Sequence, residues 1–430
     1  MINIALLGTG KIARTFLNIF EKKQSELTNL TESGIKLKYL LFESVQDLHP
    51  ELKSSKILTD DFSTIVNDPE LDIVIDLTAK SELSLTYCQQ ALQNNKLVVS
   101  NNCRAIANNF VKLVKKSTAA QSNLFFDNSV LPTFFASTSF DQYLLTDEVI
   151  KFDAILNGTT NYILSVMEAK TISLKETLAR AEEFNYILND PDYDLEGYAS
   201  AARLALLCNR FFNTVVEPEL IPVKGIKGIT SYDLIYAAEL GYKIKLVATV
   251  LKVDNKLELA VRPRLIKKDK YLASVSGNNS GIELLARYSK KINLTINNTS
   301  SEPVAQNIIT DLIRAIRFLQ QDCVLPQGNK YTKQEHTYQI KNLDCEIEQS
   351  FYVRLQIEKS DELINKIKQI FTKQDLAELF LKDSLTETPL LPLIIKTKNI
   401  KESHLEELLT KIESLAGVLT VNNIIPIKEK

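Results

Sequence analysis

The chain carries almost no net charge, −2 over 430 residues at pH 7. A protein so near neutrality makes no electrostatic case for binding nucleic acid or an anionic membrane surface. No apolar run approaches bilayer-spanning length, so no membrane segment is expected. The five cysteines are odd in number and scattered, with no C-x-x-C pair. That argues against a disulfide framework and for a reducing, cytoplasmic setting. The three histidines, His49, His336 and His404, stand far apart, so no metal-ligand spacing is readable and no metal is expected. A basic leader with a cleavage site is missing from the start, and there is no short repeat or low-complexity tract. What remains is an ordinary globular composition, 45% hydrophobic and 24% charged, long enough for about two or three domains.

The first readable device is at the beginning. Met1 to Leu7 is a short apolar strand that runs into Gly8-Thr9-Gly10-Lys11-Ile12-Ala13, a G-x-G-x-x-A turn opening a helix through Phe20. The first glycine permits the tight turn and the second lets backbone approach a pyrophosphate; Ala13 still allows close helix packing. A phosphate would sit on the helix N-terminus. Such a turn directly after a strand predicts a Rossmann-type domain binding NAD or NADP. Glu43, just beyond a second strand at Ile35–Phe42, suits a ribose 2′-hydroxyl and would repel a 2′-phosphate, which favours NAD; Lys11 weighs slightly the other way. Asp72–Thr78 is a β-branched run of the kind buried in parallel sheets, followed by a helix at Glu82–Gln93 and strands at Leu97–Ser100 and Leu124–Val130.

The second device lies between Asn157 and Arg203. Asn157-Gly158-Thr159-Thr160-Asn161 is followed by Asn189-Asp190-Pro191-Asp192-Tyr193-Asp194-Leu195-Glu196-Gly197 and an Ala/Leu-rich helix. Asp190 before proline reads as a turn, and Asp194 suits a helix N-cap. Taken alone, these acids describe a capped helix start and a solvated acidic turn.

Together the two stretches resemble homoserine dehydrogenase. That family interconverts L-aspartate 4-semialdehyde and L-homoserine with NAD(P). Its pattern Gly-Tyr-x-Glu-x-Asp-Pro-x-x-Asp-x-x-Gly-x-Asp-x-x-x-Lys keeps its scaffold here at Tyr186, Asp190, Pro191, Asp194 and Gly197. The resemblance implies cofactor contacts from Gly8, Thr9, Gly10, Lys11, Ile12, Ala13, Glu43, Thr78, Asn102 and Cys103. It implies substrate contacts from Asp190, Asn157 and Thr159, with Asp194 and Arg203 in the catalytic positions. The family's chemical groups are replaced: glutamate by Leu188, aspartate by Ala199, the helix lysine by Arg203, and the lysine of its Thr-Ala-Asn-Lys segment by Cys103. An arginine keeps the charge but does not exchange a proton. With no histidine near it in sequence, Cys103 is expected as a small buried side chain rather than a nucleophile. Three glycine-bearing family loops are also altered, at Ala79-Lys80, at Leu131-Pro132-Thr133 and at Ile296, Asn298 and Ser300.

Gly225–Leu246 also follows the family closely. Lys243 and Lys245 there are expected to be solvated or in a dimer contact. Residues 349–430 read as β-α-β-β-α-β and resemble an ACT domain, an amino-acid sensor found on many of these enzymes; Lys359–Leu363 lacks the glycine of the sensor's ligand loop. The expected fold class is therefore α/β. A Rossmann-type domain (1–140) precedes an α+β substrate and dimerisation domain (141–325), a polar linker (326–347) and a ferredoxin-like ACT-like domain (348–430). Two functions are expected from this. One is a homo-oligomeric NAD(P)-dependent dehydrogenase acting on a small amino-acid-like ligand; the other is a non-catalytic paralogue, a binding or regulatory partner of an active homologue.

Overall fold

A computed structural model describes residues 1–43, 57–130, 146–183, 190–297, 300–320, 338–343, 347–372, 375–381 and 390–428. Tyr186, Leu188, the Leu131–Thr133 loop, Asn298 and most of the 326–347 segment lie outside the described residues. The chain divides into two compact units. The first comprises Met1–Val149, Ala201–Leu220 and Ile296–Tyr338, and the second Ile150–Ser200, Ile221–Thr295 and Gln339–Lys430.

The first unit is built on six strands: β1 (Ile2–Leu7), β2 (Ile35–Leu41), β3 (Leu58–Thr59), β4 (Ile73–Asp76), β5 (Leu97–Ser100) and β6 (Leu124–Phe125). They pair in parallel in the order β3-β2-β1-β4-β5-β6, the doubly wound order of a dinucleotide-binding domain. Near-continuous apolar sequence makes these strands because helices cover both faces; Ile4 to Leu7 and Ile73 to Ile75 are wholly buried. The order reverses between β1 and β4, so the ligand crevice of such a sheet opens at their carboxyl ends.

One covering helix comes from far along the chain. Ser301–Leu319 buries Ala305, Ile308, Ile309, Leu312, Ala315 and Ile316, one apolar stripe at helical spacing. That stripe joins the core formed by Ile4, Phe16, Ile75 and Phe125. Each fully buried Ile or Leu contributes about 1.5–3 kcal/mol.

The expected strand at Leu124–Val130 is shorter than its sequence suggested. Only Leu124 and Phe125 pair, with Val98 and Val99, and Asp127–Val130 turns into a helix. Ser129 explains the stop: its hydroxyl donates to the Phe126 carbonyl at 2.7 Å, a local bond that competes with a strand ladder.

The second unit holds β7 (Val149–Ile155), β8 (Tyr242–Val253), β9 (Lys256–Lys267), β10 (Ser280–Ala286), β11 (Lys290–Ile296), β12 (Gln339–Asn342), β13 (Ser350–Glu358), β14 (Leu376–Leu381), β15 (Leu390–Thr397) and β16 (Val418–Lys428). Its sheet runs β11-β10-β7-β8-β9-β16-β13-β15-β14, with β12 also on β9. A long antiparallel hairpin, β8 with β9, forms the middle. Its turn at Asp254-Asn255 uses a positive φ of 50° at Asp254, the backbone twist a tight hairpin needs. The last four strands, with helices Asp361–Ile370 and Glu402–Glu413, give β-α-β-β-α-β in the order β16-β13-β15-β14. This is the expected ferredoxin-like arrangement. It does not stand apart: β16 pairs with β9 at Ile427 to Leu265 and Lys428 to Ile266, making one continuous sheet. Among the described residues, no helix is long and apolar enough to cross a membrane.

Candidate functional site

The nucleotide crevice is assembled from three strand ends. After β1, Gly8 adopts φ +97°, and a Cβ there would meet the Leu77 carbonyl oxygen at 2.8 Å. The turn and the close approach to the end of β4 therefore both require glycine. Gly10 caps the helix Lys11–Lys22, no side chain caps that helix, and nothing lies within 4 Å of where a Cβ on Gly10 would be. Open space over uncapped N–H groups is what a pyrophosphate needs. Thr9 and Ala13 are buried beneath the turn while Lys11 is exposed and Ile12 half-buried. After β4, the buried Thr78 hydroxyl has no hydrogen-bond partner among the described residues, and such an orphan calls for a ligand or water. After β5, Asn102 donates to the Thr78 carbonyl at 3.1 Å and accepts from the Ala105 N–H at 3.0 Å. The strand-end residues fit a dinucleotide. Glu43 lies two residues past β2 and pairs with the exposed Lys80 at 3.4 Å.

Asp76 was not singled out in the sequence, and it organises this crevice. Its carboxylate is fully buried. It accepts from Ser84 Oγ at 2.5 Å, Ser100 Oγ at 2.7 Å and the Thr78 N–H at 3.1 Å. These bonds fasten the ends of β4 and β5 to the helix Ser81–Gln93. An acid at the end of a run as apolar as Ile73-Val74-Ile75 was the available signal, because an aspartate is rarely buried without partners.

Cys103 opens the short helix after Asn102. Burial pushes its thiol up, while the positive charge of Arg203 acts in the opposite direction. Cys103 and Arg203 are thus electrostatic neighbours in the first unit. The thiol stays protonated at neutral pH, so it is not poised as a nucleophile.

In the second unit, Asn157 caps the helix Gly158–Lys170, its Oδ1 accepting from the Thr159 and Thr160 N–H groups at 2.9 and 3.2 Å. Its amide also donates to the Asp194 carboxylate at 2.5 Å. The four acids separate into distinct roles. Asp190 is the N-cap of the helix Pro191–Leu195, accepting from Tyr193 N–H at 3.2 Å. Asp192 and Glu196 hold Lys227 at 2.9 and 2.7 Å. Asp194 is buried. The expected N-cap at Asp194 is therefore corrected. Proline at the first helical position starts the helix one turn earlier, which leaves Asp194 inside it, facing Asn157. The structure brings Asn157, Thr159 and Asp194 together, with Asp190 at the other end of the same short helix.

Lys245 is a further correction: it is not solvated. It is 1% exposed; its ammonium donates to Asn161 Oδ1 at 2.9 Å and to the Val275 carbonyl at 2.7 Å. Lys243 is half-buried and pairs with Glu168 at 3.6 Å. Both lysines project from one face of β8 onto the helix Gly158–Lys170, whose Asn161 and Glu168 lie about two turns apart. Burial, then repulsion from Lys243, lowers Lys245 from the ordinary 10.5 to about 8. Between those two values the unfolded chain binds the proton and the folded chain does not, so stability rises with pH across that window. Going from about pH 7 to about pH 10 should therefore stabilise the protein, relative to Lys245→Met, by roughly 2–3 kcal/mol. Urea unfolding of both proteins at both pH values reads this. Equal pH slopes would mean that Lys245 titrates normally.

Residues 8–127 match the family model described as the NAD binding domain of homoserine dehydrogenase, and residues 136–313 match that of homoserine dehydrogenase itself. The chain belongs to the homoserine dehydrogenase family. Curated homoserine dehydrogenases are similar over nearly their whole length. That of Bacillus subtilis is 24% identical, covering 98% of this chain and 97% of its own, and that of Helicobacter pylori is 26% identical, covering 99% and 98%. The crystal structure of a homoserine dehydrogenase from Thiobacillus denitrificans shares the fold with a TM-score of 0.86 at 24% identity, over 99% of this chain and 98% of that one. The match to the NAD binding domain model lies wholly in the first unit. The N-G-T-T-N segment capped by Asn157 lies within the match to the second model.

Proposed function

We propose that this protein is an NAD(P)-linked dehydrogenase interconverting L-homoserine and L-aspartate 4-semialdehyde, in which Arg203 acts as a fixed positive charge where the family pattern has a proton-carrying lysine. The observation that carries this is the open, uncapped helix start after β1, where nothing lies within 4 Å of a Cβ built on Gly10, at the end of the sheet where such folds bind their ligands. The positive charge of Arg203, which acts on the Cys103 thiol just after β5, supports its part in the reading. NAD(P), when bound, would supply the acceptor or donor of the hydride. The chain's own groups bind and orient. Gly8–Ala13 holds the pyrophosphate on the helix N-terminus, Glu43 receives the ribose, and Thr78, Asn102 and Cys103 line the crevice. Asp190, Asn157 and Thr159 hold the substrate, and Asp194 orients it or a water. Arg203 stabilises the alkoxide that develops as hydride leaves the carbinol carbon. Because a guanidinium keeps its protons, the hydroxyl proton passes to water. The protein acts as a cytoplasmic homo-oligomer with an ACT-like C-terminal region.

A second reading is a non-catalytic paralogue that serves as a binding or regulatory partner. Ala199, buried at 5% exposure, and the protonated Cys103 favour it, since neither can move a proton for the substrate. Purified protein should oxidise homoserine with NAD or NADP, and Arg203→Ala should lower turnover about 10²–10³-fold. Absence of turnover with calorimetric binding of NADH or NADPH would give the second reading. If neither nucleotide bound, the Gly8–Ala13 assignment would fall with it.

A further inference from the structure

The burial of Lys245 does not serve stability. Its ammonium donates to two neutral oxygens, Asn161 Oδ1 and the Val275 carbonyl. Taking an amine out of water onto neutral partners is unfavourable, and its lowered affinity for a proton registers that penalty. A methionine, unbranched and of similar reach, would pack there without it. What the lysine does instead follows from what its two partners hold.

Those partners belong to a chain of contacts that ends at the candidate substrate residues. The Asn161 carboxamide donates to the Val275 and Asn279 carbonyls at 3.2 and 2.9 Å, so one side chain grips both ends of the turn between them. In the middle of that turn the Gly277 N–H donates to Ser165 Oγ at 3.1 Å, and Ser165 donates to the Asn161 carbonyl at 2.7 Å. The turn is pressed against the first residue of the helix Gly158–Lys170: a Cβ on Gly158 would lie 2.5 Å from the Asn278 carbonyl oxygen. The position of the turn therefore sets the position of the helix start. The Asn161 N–H donates to the Asn157 carbonyl at 3.2 Å, and the Asn157 amide donates to Asp194. All of these residues lie in the second unit.

We infer that Lys245 is a positioning residue for the substrate site: through Asn161 it fixes the helix start that presents Asn157 and Thr159 and keeps Asp194 in place. This rests on the reading of Asn157, Thr159 and Asp194 as the residues that meet the substrate. Lys245 itself touches no substrate. Without its donor, the Asn161 amide can turn over, because its two ends then compete for the same carbonyls. That loosens both ends of the turn and the helix start above it. A displacement of about 1 Å in such a site is enough to weaken what it holds.

Calorimetry on the full chain tests this. L-Homoserine is titrated into protein saturated with NADH, a pair that cannot react, and NADH is titrated separately. Lys245→Met should weaken homoserine about tenfold or more and leave NADH within about twofold of the wild type. Asn161→Ala cuts the chain one link later; it should have the same effect, and the double variant should lose no more than either single one. Thr249→Val is the control. It removes a hydrogen bond to the buried Asp153, 2.7 Å long, from the same face of β8, and should leave homoserine affinity unchanged. The inference is overturned if Lys245→Met binds homoserine as the wild type does, if it weakens NADH equally, if the two losses add, or if Thr249→Val weakens homoserine as much. A wild type that fails to bind homoserine would overturn the substrate reading and this inference together; the other failures strike the inference alone.

Discussion

Arg203→Lys combined with Ala199→Asp is expected to raise homoserine turnover by about 10²–10⁴-fold, the usual contribution of positioned general acid–base catalysis. The two positions are one turn apart on the helix Tyr198–Phe212, so an aspartate and a lysine there share a face and can pass a proton between them and the substrate. The lysine can lose its proton and the arginine cannot. The double variant matters because it supplies both members of the acid–lysine pair at i and i+4. Initial rates of NADH or NADPH formation, with kcat and KM separated, measure the effect. A gain in kcat at constant KM identifies proton transfer as the missing step. An unchanged kcat would show that something other than these two positions limits the reaction.

Asp233→Ala is expected to cost about 3–5 kcal/mol, the penalty for stranding one half of a buried ion pair. Asp233 is fully buried at the start of the helix Ser231–Glu239. It receives Arg354 Nε at 2.7 Å and Nη2 at 3.2 Å from β13, Asn423 at 2.8 Å from β16 and the Tyr352 hydroxyl at 3.1 Å. It also closes a capping box with Thr230. Removing the carboxylate leaves the buried Arg354 guanidinium without its anion and the Tyr352 hydroxyl without its acceptor, while the Asn423 amide keeps the Gly228 carbonyl at 2.7 Å. Asp233→Ala/Arg354→Met should recover most of the loss, because an apolar pair of similar volume removes the stranded charge. Urea midpoints of the wild type, both single variants and the double variant form the cycle. A loss below about 1 kcal/mol for Asp233→Ala would mean that solvent reaches Arg354 freely.

What could be read beforehand, and what could not, follows from the range of the interactions. The G-x-G-x-x-A turn, the strands expected at Met1–Leu7, Ile35–Phe42, Asp72–Thr78 and Leu97–Ser100, and the six C-terminal elements are local patterns of period and turn chemistry, and these appear where they were expected; the strand expected at Leu124–Val130 stops at Phe125. Lys245 was misjudged because nothing local in the sequence says that a helix covers the face it shares with Lys243. The signal was present at long range: Asn161 and Glu168, about two turns apart, are the partners waiting on that helix. Asp194 was misplaced by one turn, since a proline can start a helix as well as precede one. The Arg354–Asp233 and Arg262–Glu402 pairs join residues more than a hundred positions apart. No spacing in the sequence announces such a pairing.

The meeting of β16 and β12 with β9 settles what the C-terminal region is to the rest of its unit. A chain ending before β12 would leave the outer side of β9 with a row of bare backbone groups, an adhesive margin that invites other chains. It would also take Glu402 away from Arg262 and Arg354 away from Asp233. The tail is therefore masonry within its unit: a chain cut before β12 is expected to lay bare the flank of β9 that β12 and β16 now cover.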